Sequence, residues 1–218
     1  MSAGIQKRAT QLGTCGLDDT LKALPLLAGA AGSALVIIAA GLGLTLGHAS
    51  RHMLLHIALM NILAPLIAMA IPSDEPGRRF LARTLLASTV AQMVLLYLWH
   101  VPTIMHAHYP TAFAIAASSV LTLAAIWFWR SVLAAMTESE YWRAAAALVV
   151  SGKLFCVLGI VLTLLPDERT ISALLSDRQT GGLIMVVACS SSYVLAAVLS
   201  AHRAVTAPVT RTDSAASR

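Results

Sequence analysis

The pattern of hydrophobic and polar positions divides the chain into six long apolar segments joined by short loops. They run about Leu21–Leu46, Ser50–Ile71, Phe80–Trp99, Thr111–Leu133, Ala144–Leu165 and Gly181–Ala201. A helix needs roughly 20 apolar residues to cross the hydrocarbon of a bilayer, so each segment suffices for one span. The pattern predicts an all-α fold, a polytopic transmembrane helix bundle of about six spans. Residues 1–20 read as a cytoplasmic N-terminal tail, 21–203 as the transmembrane domain, and 204–218 as a disordered cytoplasmic C-terminal tail. Pro25 sits in a first turn, where proline is tolerated. Pro65, near the far end of the second segment, predicts a kink, and Pro72-Ser-Asp-Glu-Pro76-Gly closes that segment with a turn.

Composition supports the membrane reading. Of 218 residues, 58% are hydrophobic and 11% charged, whereas soluble domains carry about 25% charged residues. The net charge of +5 is scattered through loops and tails, so it is no nucleic-acid surface and instead sets orientation. With six spans, one face holds Lys7, Arg8, Lys22, Arg78, Arg79, Arg83, Arg130, Arg143, Arg203, Arg211 and Arg218. The other holds Arg51, Arg169 and Arg178, and Lys153 lies within a span. The richer face is cytoplasmic by the positive-inside rule, which places both termini in the cytoplasm. Tyr97 and Trp99 then mark the outer interface, and Trp127, Trp129, Tyr141 and Trp142 the inner one. The N-terminal residues do not form a good signal peptide, because about twenty mostly polar residues precede the first apolar run. Cys15, Cys156 and Cys189 are far apart and form no disulfide framework or CxxC pair.

This topology gathers the chemistry at one end. His48, His52 and His56 stand at four-residue intervals, with Met60 one step further. Residues four apart share a helix face, so His52 and His56 can present two imidazoles to one ion. His48 to His56 spans about 12 Å along the axis, too far for all three to share an ion easily. Met53 and Met60 add thioethers, which favour Cu(I). A second cluster, Trp99-His100-Val-Pro102-Thr-Ile-Met105-His106-Ala-His108, ends the third segment on the same side. His100 stands at the membrane edge, where it can face the ladder; His106 and His108 read as a solvated loop, and Met105 could add a thioether. Six of the seven histidines fall on the outer side, with His202 inside.

A third stretch, Ser176-Asp177-Arg178-Gln179-Thr180-Gly181-Gly182-Leu-Ile-Met185, opens the last segment on that side. Asp177 suits a helix N-terminus, or a carboxylate that orients a ligand histidine. Lys153, within a span, is a functional candidate by position, although it can snorkel to the inner face. Asn61 and Ser118-Ser119 suit interhelical hydrogen bonds. No nucleophile–base pair, phosphate loop or basic nucleic-acid surface is present, so the chain does not read as an enzyme or a nucleic-acid binder.

These residues also carry a resemblance. His52-Met53-x-x-His56 running into Ala64-Pro65-Leu66, then Leu98-Trp99-His100-Val-Pro102, then Asp177-x-Gln179-x-Gly181-Gly182-Leu183-Ile184-Met185, resemble the CtaG family of cytochrome c oxidase assembly factors. The resemblance covers about Ser50 to Met185. It implies a multi-pass protein of the bacterial inner membrane that supplies copper to a cytochrome c oxidase subunit, with a periplasmic copper donor as a further partner. It implies His52, His56, His100 and Asp177 as the positions to test. The chain departs from the family pattern at Arg178, often Gln there, and at Ser118-Ser119, where a histidine is usual.

The expected function is therefore copper binding, as Cu(I), at an outer site of His52, His56 and His100. Met53 or Met60 would supply a thioether, and Asp177 would act through a ligand. Two alternatives stand beside it: a metal-free membrane scaffold for oxidase assembly, and a haem-binding membrane electron carrier with axial histidines. An ion transporter fits less well, since below the histidine layer only Lys153, Asn61 and the serines are polar.

Overall fold

The computed structural model describes residues 47–72, 74–100, 110–164 and 176–206, and their regular structure is entirely helical. The first expected span, Leu21–Leu46, lies outside the described residues, as do residues 1–20, residues 207–218, Met105, His106 and His108. Six helices are described: α1 (His48–Ala70), α2 (Glu75–Arg83), α3 (Leu85–Trp99), α4 (Thr111–Thr137), α5 (Tyr141–Leu164) and α6 (Asp177–Thr206). Helices α1, α4, α5 and α6 are each long and apolar enough to cross a membrane; α2 and α3 together would make a fifth span, bent by 57°. This is the architecture of a multi-pass membrane protein.

The bend replaces the unbroken segment expected over Phe80–Trp99. Helix α2 begins earlier because Asp74 caps it, its Oδ1 accepting from the Gly77 N–H at 3.0 Å. Pro76 in the first turn needs no N–H partner there. Thr84 then leaves helical geometry, with φ −86° and ψ 6°. Its Oγ1 donates back to the Leu81 carbonyl at 3.0 Å and accepts from Trp127 Nε1 at 3.3 Å.

Helix α1 is irregular just before Pro65. Residues Ala58–Leu63 form a π-helical turn, and the Ala64 N–H reaches the Leu59 carbonyl, five residues back. The Met60 carbonyl accepts Trp129 Nε1 from α4 at 2.9 Å. Trp129 is therefore a core residue, 8% exposed, not an interfacial belt residue as its sequence position suggested. Its indole N–H finds a carbonyl inside the bundle, which removes the need for water.

Helices α5 and α6 pack most extensively, and two glycines make the crossing possible. A Cβ on Gly182 would lie 2.7 Å from the Gly159 carbonyl oxygen, and one on Gly159 would lie 2.9 Å from that of Gly182. Small residues at a crossing let membrane helices approach backbone to backbone. Deeper in the bundle, Tyr193 packs among Phe128, Trp129 and Phe155, with ring centroids 4.9–5.8 Å away. Its hydroxyl oxygen accepts from Gln92 Nε2 at 2.6 Å. At the end remote from His52, His56 and His100, Arg78 and Arg79 pair with Glu138, at 3.7 and 3.9 Å.

Candidate metal centre

The histidine end is built from three helix termini. Helix α1 starts at His48 and presents His52 and His56 one turn apart; α3 ends at Trp99, with His100 as its C-cap; α6 starts at Asp177. The start of α1 is fixed by α6. Asp177 Oδ2 accepts from the Ala49 N–H at 2.7 Å and Oδ1 from the Ser50 N–H at 3.1 Å. Ser50 Oγ donates in return to the Asp177 carbonyl at 3.0 Å. Free N–H groups at a helix start need such partners, and a carboxylate there also complements the helix dipole.

The structure thus gives Asp177 a definite place. It caps a neighbouring helix, and its hydrogen bonds run to the backbone of α1, not to an imidazole of the cluster. Whatever it does for the histidines, it does by fixing the helix that carries two of them.

The imidazoles of His52, His56 and His100 converge, with candidate ligand nitrogens all within 4.8 Å of one another. Ring centroids are 4.3 Å apart for His52–His56, 5.3 Å for His56–His100 and 5.9 Å for His52–His100. Metal–nitrogen bonds of 2.0–2.1 Å place two tetrahedral ligand nitrogens about 3.3 Å apart. The cluster therefore needs only small side-chain movement to close on one ion.

Hydrogen bonding decides which nitrogens are free to do so. His100 Nδ1 lies 2.8 Å from the Leu96 carbonyl, which can only accept, so Nδ1 carries the proton. In the neutral ring the lone pair is then on Nε2, and that atom is buried with no hydrogen-bond partner. One ring nitrogen donating to a backbone carbonyl while the other points at a site is the usual arrangement of a metal-bound histidine. His100 lies one residue beyond the end of α3 and is 3% exposed. Burial lowers its pKa below the ordinary histidine value, against the opposing effect of the Leu96 bond.

His52 is the most crowded of the three imidazoles. Trp99 Nε1 donates to its Nε2 at 3.0 Å, and His56 Nε2 lies 2.9 Å from the same atom. An sp² nitrogen has one lone pair, so two neighbours compete for it. A cation between His52 and His56 would take up both nitrogens; a second donor cannot. Trp99 is the functional contact that reading the sequence missed, because its position at a helix end read as an interfacial anchor.

The remaining expected residues divide. Met53 and Met60 are buried and line a cavity directly beneath the imidazoles, together with His56 and His100. His48 is exposed and outside the trio, and His202 is exposed on the last turns of α6. Lys153 is exposed on the outside of α5. Ser119 Oγ bonds the Ile115 carbonyl of its own helix at 2.8 Å, so it does not link helices as expected. Ser118 and Ser119 instead line an open, mainly apolar groove between α1 and α4, with His52 on its wall.

The chain matches no family model, no curated protein and no solved structure. The chemistry of the site therefore rests on its own geometry: three imidazoles, two of them buried, in reach of one ion within a bundle of apolar helices.

Proposed function

We propose that this chain is a membrane-embedded copper carrier that takes Cu(I) at His52, His56 and His100 and passes it to a cytochrome c oxidase subunit during assembly. One observation carries the metal-binding part: the buried Nε2 of His100, bearing a lone pair without a partner, beside two more imidazoles. A polar atom left unsatisfied in a bundle core costs about 1–3 kcal/mol, and a bound cation removes that cost. Neutral imidazoles with thioethers from Met53 and Met60 nearby favour Cu(I) over harder ions. Copper here is cargo, and a trio leaves a fourth position open through which it can leave.

The recipient is inferred from the resemblance of the three sequence stretches to the CtaG family. The distribution of Lys and Arg supports an orientation with both termini in the cytoplasm and the trio on the outer side of the bacterial inner membrane. From there a periplasmic donor could reach it.

The test is copper content of the detergent-purified protein after anaerobic Cu(I) loading. With one equivalent of Cu(I) and a competing chelator, wild type should hold close to one copper per chain, and His52→Ala/His56→Ala should hold almost none. Copper-free wild type, or equal copper in the double variant, sinks the metal reading. Oxidase copper content in cells carrying the double variant tests the recipient separately, and undiminished oxidase copper would remove it.

A further inference from the structure

Beneath the imidazoles the bundle holds a cavity with room for about one water-sized occupant. Its wall combines His56 and His100 with Met53 and Met60 from α1 and Met185 and Cys189 from α6. Met185 and Cys189 are one helical turn apart and Met53 and Met60 two turns, so each pair lies on one face of its helix. All four sulfur residues are at most 3% exposed. Methionine often fills gaps in a core. Here, however, three thioethers and a thiol line a space that His56 and His100 also line.

We propose that this cavity is a second, sulfur-lined station for a soft monovalent cation, with Met185 and Cys189 as ligands that the imidazole trio lacks. The proposal rests on reading the trio as the outer copper site, and it adds an inner position for the same ion. A set of three thioethers with one thiolate favours Cu(I) over harder cations. Cys189 coordinates as the thiolate, so its proton leaves to solvent on the histidine side as the cation arrives. The resulting Cu(I)–thiolate pair is neutral, which suits a low-dielectric interior where an isolated charge is costly. His56 and His100 border both positions, so an ion can move from nitrogen to sulfur ligands without entering water. Because His56 and His100 border both positions, one ion holds them at a time and occupies either position.

X-ray absorption at the copper edge of the full-length protein, loaded anaerobically with Cu(I), tests this. The wild type should show both nitrogen and sulfur scatterers. Met185→Leu/Cys189→Ala should lose half or more of the sulfur contribution and keep copper on nitrogen. His52→Ala/His56→Ala/His100→Ala should keep sulfur-bound copper if loaded with excess Cu(I). A nitrogen-only spectrum for the wild type overturns the inner station without any variant, so a misfolded mutant cannot shelter it. Sulfur scattering unchanged in Met185→Leu/Cys189→Ala, or a trio variant that holds no copper, overturns it too. Sulfur-bound copper in both wild type and trio variant, with no nitrogen in either, would instead remove the outer site and leave the inner one standing.

Discussion

One side chain that touches the trio cannot itself ligate a metal. Trp99 donates its indole N–H to His52 Nε2 at 3.0 Å, so an incoming ion must displace it. A neutral hydrogen bond contributes about 0.5–1.5 kcal/mol net. Trp99→Phe keeps an aromatic ring near Phe113, whose centroid lies 6.0 Å away, while removing the donor. Its affinity for Cu(I) should rise by about 2- to 10-fold on that basis, measured by competition with a chromophoric chelator. Unchanged or weaker binding would mean that the indole orients His52 and does not compete for it. The cap offers a second test at this scale. A Cβ on Gly47 would fall on the Asp177 carboxylate. Gly47→Ala and Asp177→Ala therefore disrupt the same contact, and loss of such a cap costs about 0.5–2 kcal/mol. The double variant should be scarcely less stable than either single one, since residues that share one interaction are not additive. Full additivity in detergent unfolding would show that the glycine and the aspartate act separately.

Among the elements, the pairing of α5 and α6 holds the third terminus of the site in place. Gly182→Ala puts a methyl group 2.7 Å from the Gly159 carbonyl oxygen, a contact that only helix separation can relieve. Overpacking of this kind costs typically about 1–3 kcal/mol. Because Asp177 opens the same helix, the variant should both lower unfolding stability and weaken copper binding. Lost stability with copper affinity intact would show that the cap is insulated from the crossing. The spans of α4, α5 and α6 were legible as long apolar runs. The break at Thr84 was not, because a threonine is tolerated inside an apolar helical run, and the Trp127 contact to its hydroxyl exists only once α4 packs against it. The π-helical turn at Ala58–Leu63 was equally hidden, since it accompanies a Trp129 bond to the Met60 carbonyl from another helix.

The whole molecule is polarised. The imidazole trio and the sulfur-lined cavity lie toward one end, while Arg78, Arg79 and Glu138 pair at the other. The orientation proposed from the positive-inside rule predicts that a green fluorescent reporter fused after Thr206 fluoresces in cells. An alkaline phosphatase reporter fused after His100 should be active. The reverse pair of results would put the trio on the cytoplasmic side and rule out delivery from the outer face. By itself the sequence determined that the chain is helical and built for a membrane, since length and hydropathy of each run decide that locally. It also determined that His52 and His56 share a face, because helix periodicity requires it. Only the tertiary structure decided that His100 joins them, that Asp177 caps α1, and that Met185 and Cys189 border the same cavity as Met53 and Met60. Those relations join residues up to 136 positions apart (Met53 to Cys189). They depend on how helices cross, which periodicity along one strand of sequence does not encode.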